Sequence, residues 1–276
     1  MPVPAAEFDS PRDYANDCRP IAVQQTRVMQ RIEVIHAGWS APGNVCAIST
    51  TRGAGVSVGP YQSLNLGDHV GDDAGAVAAN RERVARALRL PAAPRWLTQV
   101  HGSTVVDAGR AGVGCEADAA WTDRSGVVCA VLTADCVPLA LATRCGRRVA
   151  AVHVGWRGLA AGVVENAVAT LADDAGQLVG WMGPAISQRA FEVGPEVRSA
   201  LAGDDEALAF FAPGRADRYM ADLFGLLRFR LARLGVGEVA GGEHCTYSDP
   251  GRFFSYRRDG RCGRMATLVW RAAEAG

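Results

Sequence analysis

Residues 127–158 read VVCAVLTADCVPLALATRCGRRVAAVHVGWRG. An apolar run climbs into Thr133-Ala134-Asp135-Cys136, and the pattern predicts that it breaks at Pro138. A basic, glycine-containing turn follows, and a second run ends at His153-Val154-Gly155-Trp156-Arg157-Gly158. Short continuous apolar runs bounded by turn residues are the pattern of buried strands. In the second run Val149, Ala151 and His153 share one face and Val152 and Val154 the other. A small, packable face therefore ends in an imidazole. Two buried strands each deliver a reactive side chain, Cys136 and His153, near an end.

Upstream, residues 32–35 and 45–50 predict short strands, and residues 51–67 a Gly/Ser/Asn-punctuated loop carrying Arg52 and Asn65. Arg52 offers a planar donor fork for a phosphate or carboxylate, and Asn65 a polar edge for a substrate. A turn-rich linker with a surface arginine explains the same residues equally well. Asp72 and Asp73 precede an alanine-rich helical pattern at 74–90, closed by Pro91 and Pro94. Residues 95–106 predict a strand, a bend at Gly102 and a second strand, with His101 beside the bend. Downstream, 159–171, 196–210 and 220–234 predict helices, and 265–270 a late strand closing a sheet. Strands and helices mix without a regular βαβ repeat, so the predicted class is α+β, with mixed sheets and flanking helices in one compact unit. Residues 1–30 are weakly patterned and read as an extension. No linker divides the remainder of the chain, so 31–276 is expected to form a single catalytic domain.

The chain has 276 residues, 49 % apolar and 21 % charged, with a formal net charge of zero. That describes an ordinary globular protein with no electrostatic reason to bind nucleic acid or an anionic membrane. Eight cysteines without CxxC spacing, several inside apolar runs, point to free thiols in a reducing compartment. No signal peptide and no apolar stretch of membrane-spanning length is visible, so a cytoplasmic location is expected.

The sharpest chemical reading joins His101, Cys136 and His153 as ligands of one zinc ion. Imidazole nitrogen and thiolate sulfur suit zinc, and three protein ligands leave the open position of a catalytic site. Separations of 35 and 17 residues match no zinc finger and suit ligands delivered by different strands. The same residues also read as a Cys136 nucleophile with His101 or His153 as its base and Asp135 or Asp123 as orienter. The blandest reading is a core thiol beside structural histidines, since buried free cysteine packs as a small hydrophobe.

Six stretches resemble the YfiH family, also called the laccase-domain, polyphenol oxidase or purine nucleoside phosphorylase family. They are STTRGAGVSVGPYQSLNLGDHVGDD (49–73), WLTQVHG (96–102), ADAAWTDRSGVVCAVLTADCVPLAL (117–141), VAAVHVGWRGLAAGVV (149–164), WMGPAISQRAFEVGPEV (181–197) and FFSYRRDGRCGRMATLVW (253–270). The resemblance implies an α+β fold shared with Cys/His toxin hydrolases and a zinc held by His101, Cys136 and His153. It implies phosphorolysis of adenosine, inosine and methylthioadenosine, and deamination of adenosine. The small-molecule partners would then be a purine nucleoside and phosphate. Polyphenol oxidation with copper and editing of a peptidoglycan precursor are the alternative activities attached to such proteins; a metal-stabilised interaction protein is the non-enzyme alternative. On the nucleoside reading Arg52 and Arg157 place phosphate, Asp135 or a nearby carboxylate shuttles a proton, and Asn65 and Asp123 touch substrate. Two departures stand out: Ala54 where a glycine is usual, and Val154 where alanine is usual.

Overall fold

The structure is a computed structural model that describes residues 31–203 and 205–272; the predicted extension at 1–30 lies outside the described residues. Its strands are β1 (Val34–His36), β2 (Val45–Thr50), β3 (Val105–Asp107), β4 (Ala119–Thr122), β5 (Val128–Thr133), β6 (Val137–Thr143), β7 (Val149–Val154), β8 (Leu178–Met182), β9 (Glu192–Val193), β10 (Phe211–Pro213), β11 (Tyr219–Ala221), β12 (Glu238–Gly241) and β13 (Met265–Arg271). The helices are α1 (Ala74–Ala87), α2 (Trp156–Ala160), α3 (Val163–Leu171), α4 (Pro195–Leu201), α5 (Leu223–Arg233) and α6 (Tyr256–Asp259). The class is α+β.

Two larger sheets carry the core. One is antiparallel with order β1-β2-β13-β5; the other is mixed with order β12-β8-β6-β7-β4-β3. They pack face to face through the inner residues of alternating strands. Cys129 and Val131 of β5 meet Val149 and Ala151 of β7 and Ala140 and Ala142 of β6 in one apolar cluster. The outer face of the six-stranded sheet, with Leu139, Leu141, Val152 and Val154, is covered by α3, α4 and α5. The outer face of the four-stranded sheet, with Ala130, Leu132 and Leu268, is covered by Leu64, Leu66 and α1. Strands β5, β6 and β7 are buried along their whole length, which is why they read as continuous apolar runs. Each fully buried leucine contributes about 2 kcal/mol of transfer free energy.

Pro138 does not break the chain as predicted; it lies inside β6, opposite His153. Its carbonyl accepts from Gly183 N, while the β6–β8 ladder begins only at Leu139. A strand residue's N–H and C=O point to the same neighbour, so the missing N–H falls just outside that ladder. The chain turn sits earlier, at Ala134-Asp135-Cys136, where Asp135 has φ 95° and the polypeptide passes from one sheet to the other.

Other expectations shift for local reasons. The helix predicted over 159–171 is two helices, because Gly162 takes φ 87° between α2 and α3. The helix predicted over 196–210 ends at Leu201, and a separate 3-10 segment covers Asp205–Phe210. Residues 95–102 are largely irregular, held by single bridges at Arg95 and Thr98. Asp73 caps α1 by accepting from Ala76 N, and Asp222 caps α5 by accepting from Gly225 N.

Candidate metal centre and its cavity

His153 is the last inward-facing residue of β7, and Cys136 directly precedes β6, which pairs with β7. These two side chains meet where the inter-sheet core ends. His101 arrives from the irregular 95–102 segment, and Gln99 explains how that segment is held. Its side-chain amide donates to Leu132 O at 2.8 Å and accepts from Leu132 N at 2.7 Å. The amide thus substitutes for a strand neighbour on β5 and places His101 two residues later.

The three ligand atoms lie within 4.8 Å of one another, with Cys136 Sγ 4.0 Å from His101 Nε2. The rings of His101 and His153 stand edge to face with centroids 4.8 Å apart. Among the described residues this is the single group of three or more His, Cys, Asp or Glu side chains placed to share an ion. His153 is buried and His101 exposed, so the cluster opens to solvent on one side. Gly155 leaves the room: a Cβ there would stand 2.9 Å from Cys136 Sγ and 3.0 Å from His101 Cδ2.

Asp118 organises the cluster, and sequence reasoning passed over it. Its Oδ1 lies 2.8 Å from His153 Nδ1, and since a carboxylate only accepts, that nitrogen carries the proton and Nε2 is left as the ligand. The same carboxylate accepts the backbone amides of Val100, His101 and Gly102. His153 N in turn donates to Asp118 O at 2.7 Å. One fully buried side chain therefore fixes two ligands at once, and holds His101 at φ 59°, a left-handed conformation that a non-glycine residue keeps only when its surroundings impose it. The available signal was Ala117-Asp118-Ala119, a lone charge in an apolar stretch.

Burial disfavours the charged form of Asp118, but the hydrogen bonds from His153 and the Gly102 and Val100 amides outweigh it and hold the carboxyl below its ordinary range. Burial likewise opposes a Cys136 thiolate, yet the charge of His153 and hydrogen bonds with both histidines bring the thiol down to about 6. His153 moves the other way: burial is overcome by the Cys136 charge and the Asp118 bond, and the imidazole rises. The two opposed shifts favour a thiolate beside an imidazolium.

The donor set fits a divalent, borderline-soft ion: two imidazole nitrogens and a thiolate, with an exposed side for a fourth ligand. A structural zinc needs a fourth protein ligand, and none accompanies the three among the described residues.

The cluster forms the floor of a cavity of about 520 Å³ that also takes in Thr133, Asp135, Arg157, Arg257, Arg264 and His69. Thr133 follows Cys129 and Val131 on the inner face of β5, beside the end of the core where His153 emerges. Its hydroxyl is buried with no hydrogen-bond partner among the described residues. Asp135 has both oxygens committed, accepting from Thr246 Oγ1 at 2.6 Å and from Arg257 N at 2.7 Å. It clamps the residue before Cys136 to the chain's later segment, and this geometry does not suit the proton shuttle expected of it. Arg157 is exposed at the cavity wall, stacked on Trp156.

Three predicted residues are not brought to this cavity. Arg52 donates to Gln62 O and Pro250 O and lies 4.4 Å from the Phe254 ring centroid, so its fork is spent on tying loops. Asn65 is fully buried, bonding Gly67, Asp72 and Arg264 N, and acts as a turn-former. Asp123 sits at the turn after β4, where its carbonyl accepts from Arg271.

Residues 46–272 match the family described as multi-copper polyphenol oxidoreductase laccase. A purine nucleoside phosphorylase of Pseudomonas aeruginosa is 52 % identical over 234 residues, covering 84 % of this chain and 96 % of that one. Purine nucleoside phosphorylase YfiH of Escherichia coli is 49 % identical over 234 residues with the same coverage. Among solved structures, a Neisseria meningitidis protein superposes with a TM-score of 0.84 at 47 % identity, covering 87 % of this chain and 99 % of the other. YlmD from Geobacillus stearothermophilus gives 0.79 at 30 % identity, covering 88 % and 99 %.

Proposed function

Because this chain belongs to the multi-copper polyphenol oxidoreductase laccase family, in which its relatives at about half identity are named purine nucleoside phosphorylases, we propose that it is a purine nucleoside phosphorylase. The observation that carries the reading is one cavity holding both a three-donor cluster suited to a metal and arginines without carboxylate partners among the described residues. Adenosine, inosine and methylthioadenosine are the proposed substrates, with deamination of adenosine as a second activity of the same cavity. Residues 31–276 act as one catalytic domain.

The proposed metal is zinc, held by His101, Cys136 and His153. Bound there, it would supply Lewis-acid polarisation and, for deamination, activation of a water. The protein's own share is positional. Asp118 fixes the tautomer of His153 and the loop that carries His101. Asp135 holds Cys136 against the segment bearing Arg257. Thr133 offers its unused hydroxyl to a polar atom of the nucleoside. In phosphorolysis the glycosidic C–N bond breaks and a C–O bond to phosphate forms; the electron pair leaves with the purine, which takes one proton.

Polyphenol oxidation with several coppers is disfavoured by the donor inventory. The chain has five histidines, and among the described residues only two of them, His101 and His153, stand in a ligand cluster. No helix among the described residues is long and apolar enough to cross a membrane. Seven free cysteines among those residues support a reducing, cytoplasmic setting.

The test is phosphate-dependent release of hypoxanthine from inosine by the zinc-loaded protein, with a Cys136→Ala control of measured zinc content. Product from the wild type alone supports the reading. No product from folded, loaded protein removes it and favours hydrolysis of a peptidoglycan precursor.

A further inference from the structure

Three arginines, Arg157, Arg257 and Arg264, line the cavity, and none of them pairs with a carboxylate among the described residues. The cavity's one carboxylate, Asp135, is already taken by Thr246 and the Arg257 amide. Its wall therefore carries excess positive charge, which favours an anion.

Two of these arginines are built alike. Nη1 of Arg257 donates to Glu192 O at 2.7 Å and more weakly to Ala190 O, and the guanidinium lies 5.2 Å from the Phe191 ring centroid. Nη1 of Arg264 donates to Cys262 O and Gly263 O, each at 3.0 Å. Neither Nε nor Nη2 of either residue has a protein partner among the described residues. One prong of each fork is pinned, so the group is oriented in advance; the other edge is free, and that edge matches two oxygens of a tetrahedral anion. Their backbones are fixed as well: Arg257 N to Asp135, next to Cys136, and Arg264 N to Asn65 Oδ1 at 2.9 Å. Arg157 lacks such anchoring among the described residues; it is exposed and stacks on Trp156. His69 completes this wall. Burial and then the charge of Arg264 push its imidazole below the ordinary range.

We propose that Arg257 and Arg264 form an oxyanion subsite opposite the His101–Cys136–His153 cluster, and that inorganic phosphate, the nucleophile of the phosphorolysis, occupies it. This rests on the phosphorylase reading and names where its second substrate sits. The subsite holds phosphate while one of its oxygens attacks the anomeric carbon, giving ribose 1-phosphate and the free base. The fork edges also offset the repulsion between the anionic phosphate and the electrons of the leaving purine.

The test uses Arg257→Gln, Arg264→Gln and the double variant as zinc-loaded holoenzymes with metal content and unfolding midpoint recorded. Hypoxanthine release is followed against phosphate at saturating inosine. A charge-assisted hydrogen bond lost at the subsite raises the KM for phosphate about tenfold per variant, with the KM for inosine changed less than about twofold. An unchanged KM for phosphate in both single variants overturns the proposal. A second readout needs no catalysis: the rise in unfolding midpoint that inorganic phosphate gives the wild type. Loss of that rise in the double variant supports the subsite even if inosine is not cleaved, in which case the phosphorylase reading alone fails. An equal rise in wild type and double variant overturns the subsite. Inosine 5′-monophosphate is titrated in parallel; displacement of phosphate by the nucleotide without any phosphate-dependent turnover assigns the arginines to a substrate-borne phosphate and overturns the co-substrate assignment.

Discussion

Asp118 Oδ1 accepts from His153 Nδ1 at 2.8 Å in a pocket closed to solvent, while the same carboxylate gathers three consecutive amides of the loop that carries His101. Two candidate ligands from distant parts of the chain thus share one support. Replacing it disturbs both the tautomer of one ligand and the backbone of the other.

Asp118→Ala is therefore expected to cost about 3 kcal/mol or more of stability in the metal-free protein, because an imidazole and buried amides lose their acceptor together. Asp118→Asn keeps the shape but weakens the support, and metal affinity is expected to fall about 10- to 100-fold. Urea unfolding and competition with a chromogenic chelator measure the two effects. Unchanged affinity in Asp118→Asn would show that the cluster does not depend on this carboxylate. Because the Asp118 carboxyl sits below its ordinary range, its contribution is complete at neutral pH and is lost only as acid carries the pH down through that lowered value.

Cys136 in the metal-free protein is expected to be alkylated by iodoacetamide with a half-maximal rate near pH 6, its thiol having been brought down to about 6. Lowering the pH through that value protonates the thiolate and slows the reaction. His153→Ala removes the stabilising charge and moves the midpoint up toward the ordinary thiol range. Mass spectrometry of quenched samples reads both, and stoichiometric zinc should protect the residue. A wild-type midpoint near the ordinary thiol value would dissolve the thiolate–imidazolium pair.

Gly155→Ala tests the room around the ligands. Gly155 has φ −82° and ψ 166°, which alanine adopts freely, so any effect comes from the added methyl pressing on Cys136 Sγ and His101 Cδ2. The expected outcome is a folded protein whose metal affinity drops about tenfold or more, since ligand distances tolerate only small displacements. Equal metal content after dialysis against a buffered chelator would show that the ligands yield without loss.

Thr133→Val removes a buried hydroxyl that has no partner among the described residues. Stability is expected to hold or rise by up to about 1 kcal/mol, because no hydrogen bond is lost and a desolvated polar atom is removed. The KM for inosine should rise roughly fivefold to tenfold if the hydroxyl bonds the nucleoside, as one neutral hydrogen bond is worth about 1 kcal/mol. Steady-state kinetics beside thermal unfolding separate the two; an unchanged KM removes Thr133 from substrate recognition.

Arg52→Gln reverses the expectation drawn from the sequence. The guanidinium ties Gln62 O to Pro250 O, so its loss is expected to lower stability by about 1–3 kcal/mol while leaving the KM for phosphate within about twofold. A tenfold rise in that KM without destabilisation would return Arg52 to the substrate.

The inner strands were legible because burial on both faces leaves an apolar run: β2, β5, β7 and β13 stand within a residue of where the pattern puts them. The pairing of His101, Cys136 and His153 was legible as residue type, and through the family resemblance as a triad. Pro138 misled because its effect depends on which neighbour its missing N–H faces, and that is a property of the sheet. Arg52 and Arg257 are alike in composition, and only the tertiary structure reveals that one fork is filled and the other half free. Asp118 went unnoticed because its partners lie 16 to 18 residues before it and 35 residues after it. Ala54, standing where glycine is usual in the resembling family, takes φ 67°, the conformation for which glycine is suited.

Strand β13 lies between β2 and β5, and the hydroxyls of Ser49 and Thr267 meet at 3.1 Å across 218 positions of chain. On the ribosome this arrangement imposes an order of events. Cys136 and both histidines emerge before β13, and before the Thr246 and Arg257 that hold Asp135. At ordinary synthesis speeds the interval is roughly ten seconds. Throughout it the nascent chain displays an unguarded thiol and two sheet edges awaiting their middle strand. The support of the cluster is thus complete only when the late segment that clamps Asp135 and the strand between β2 and β5 are both in place.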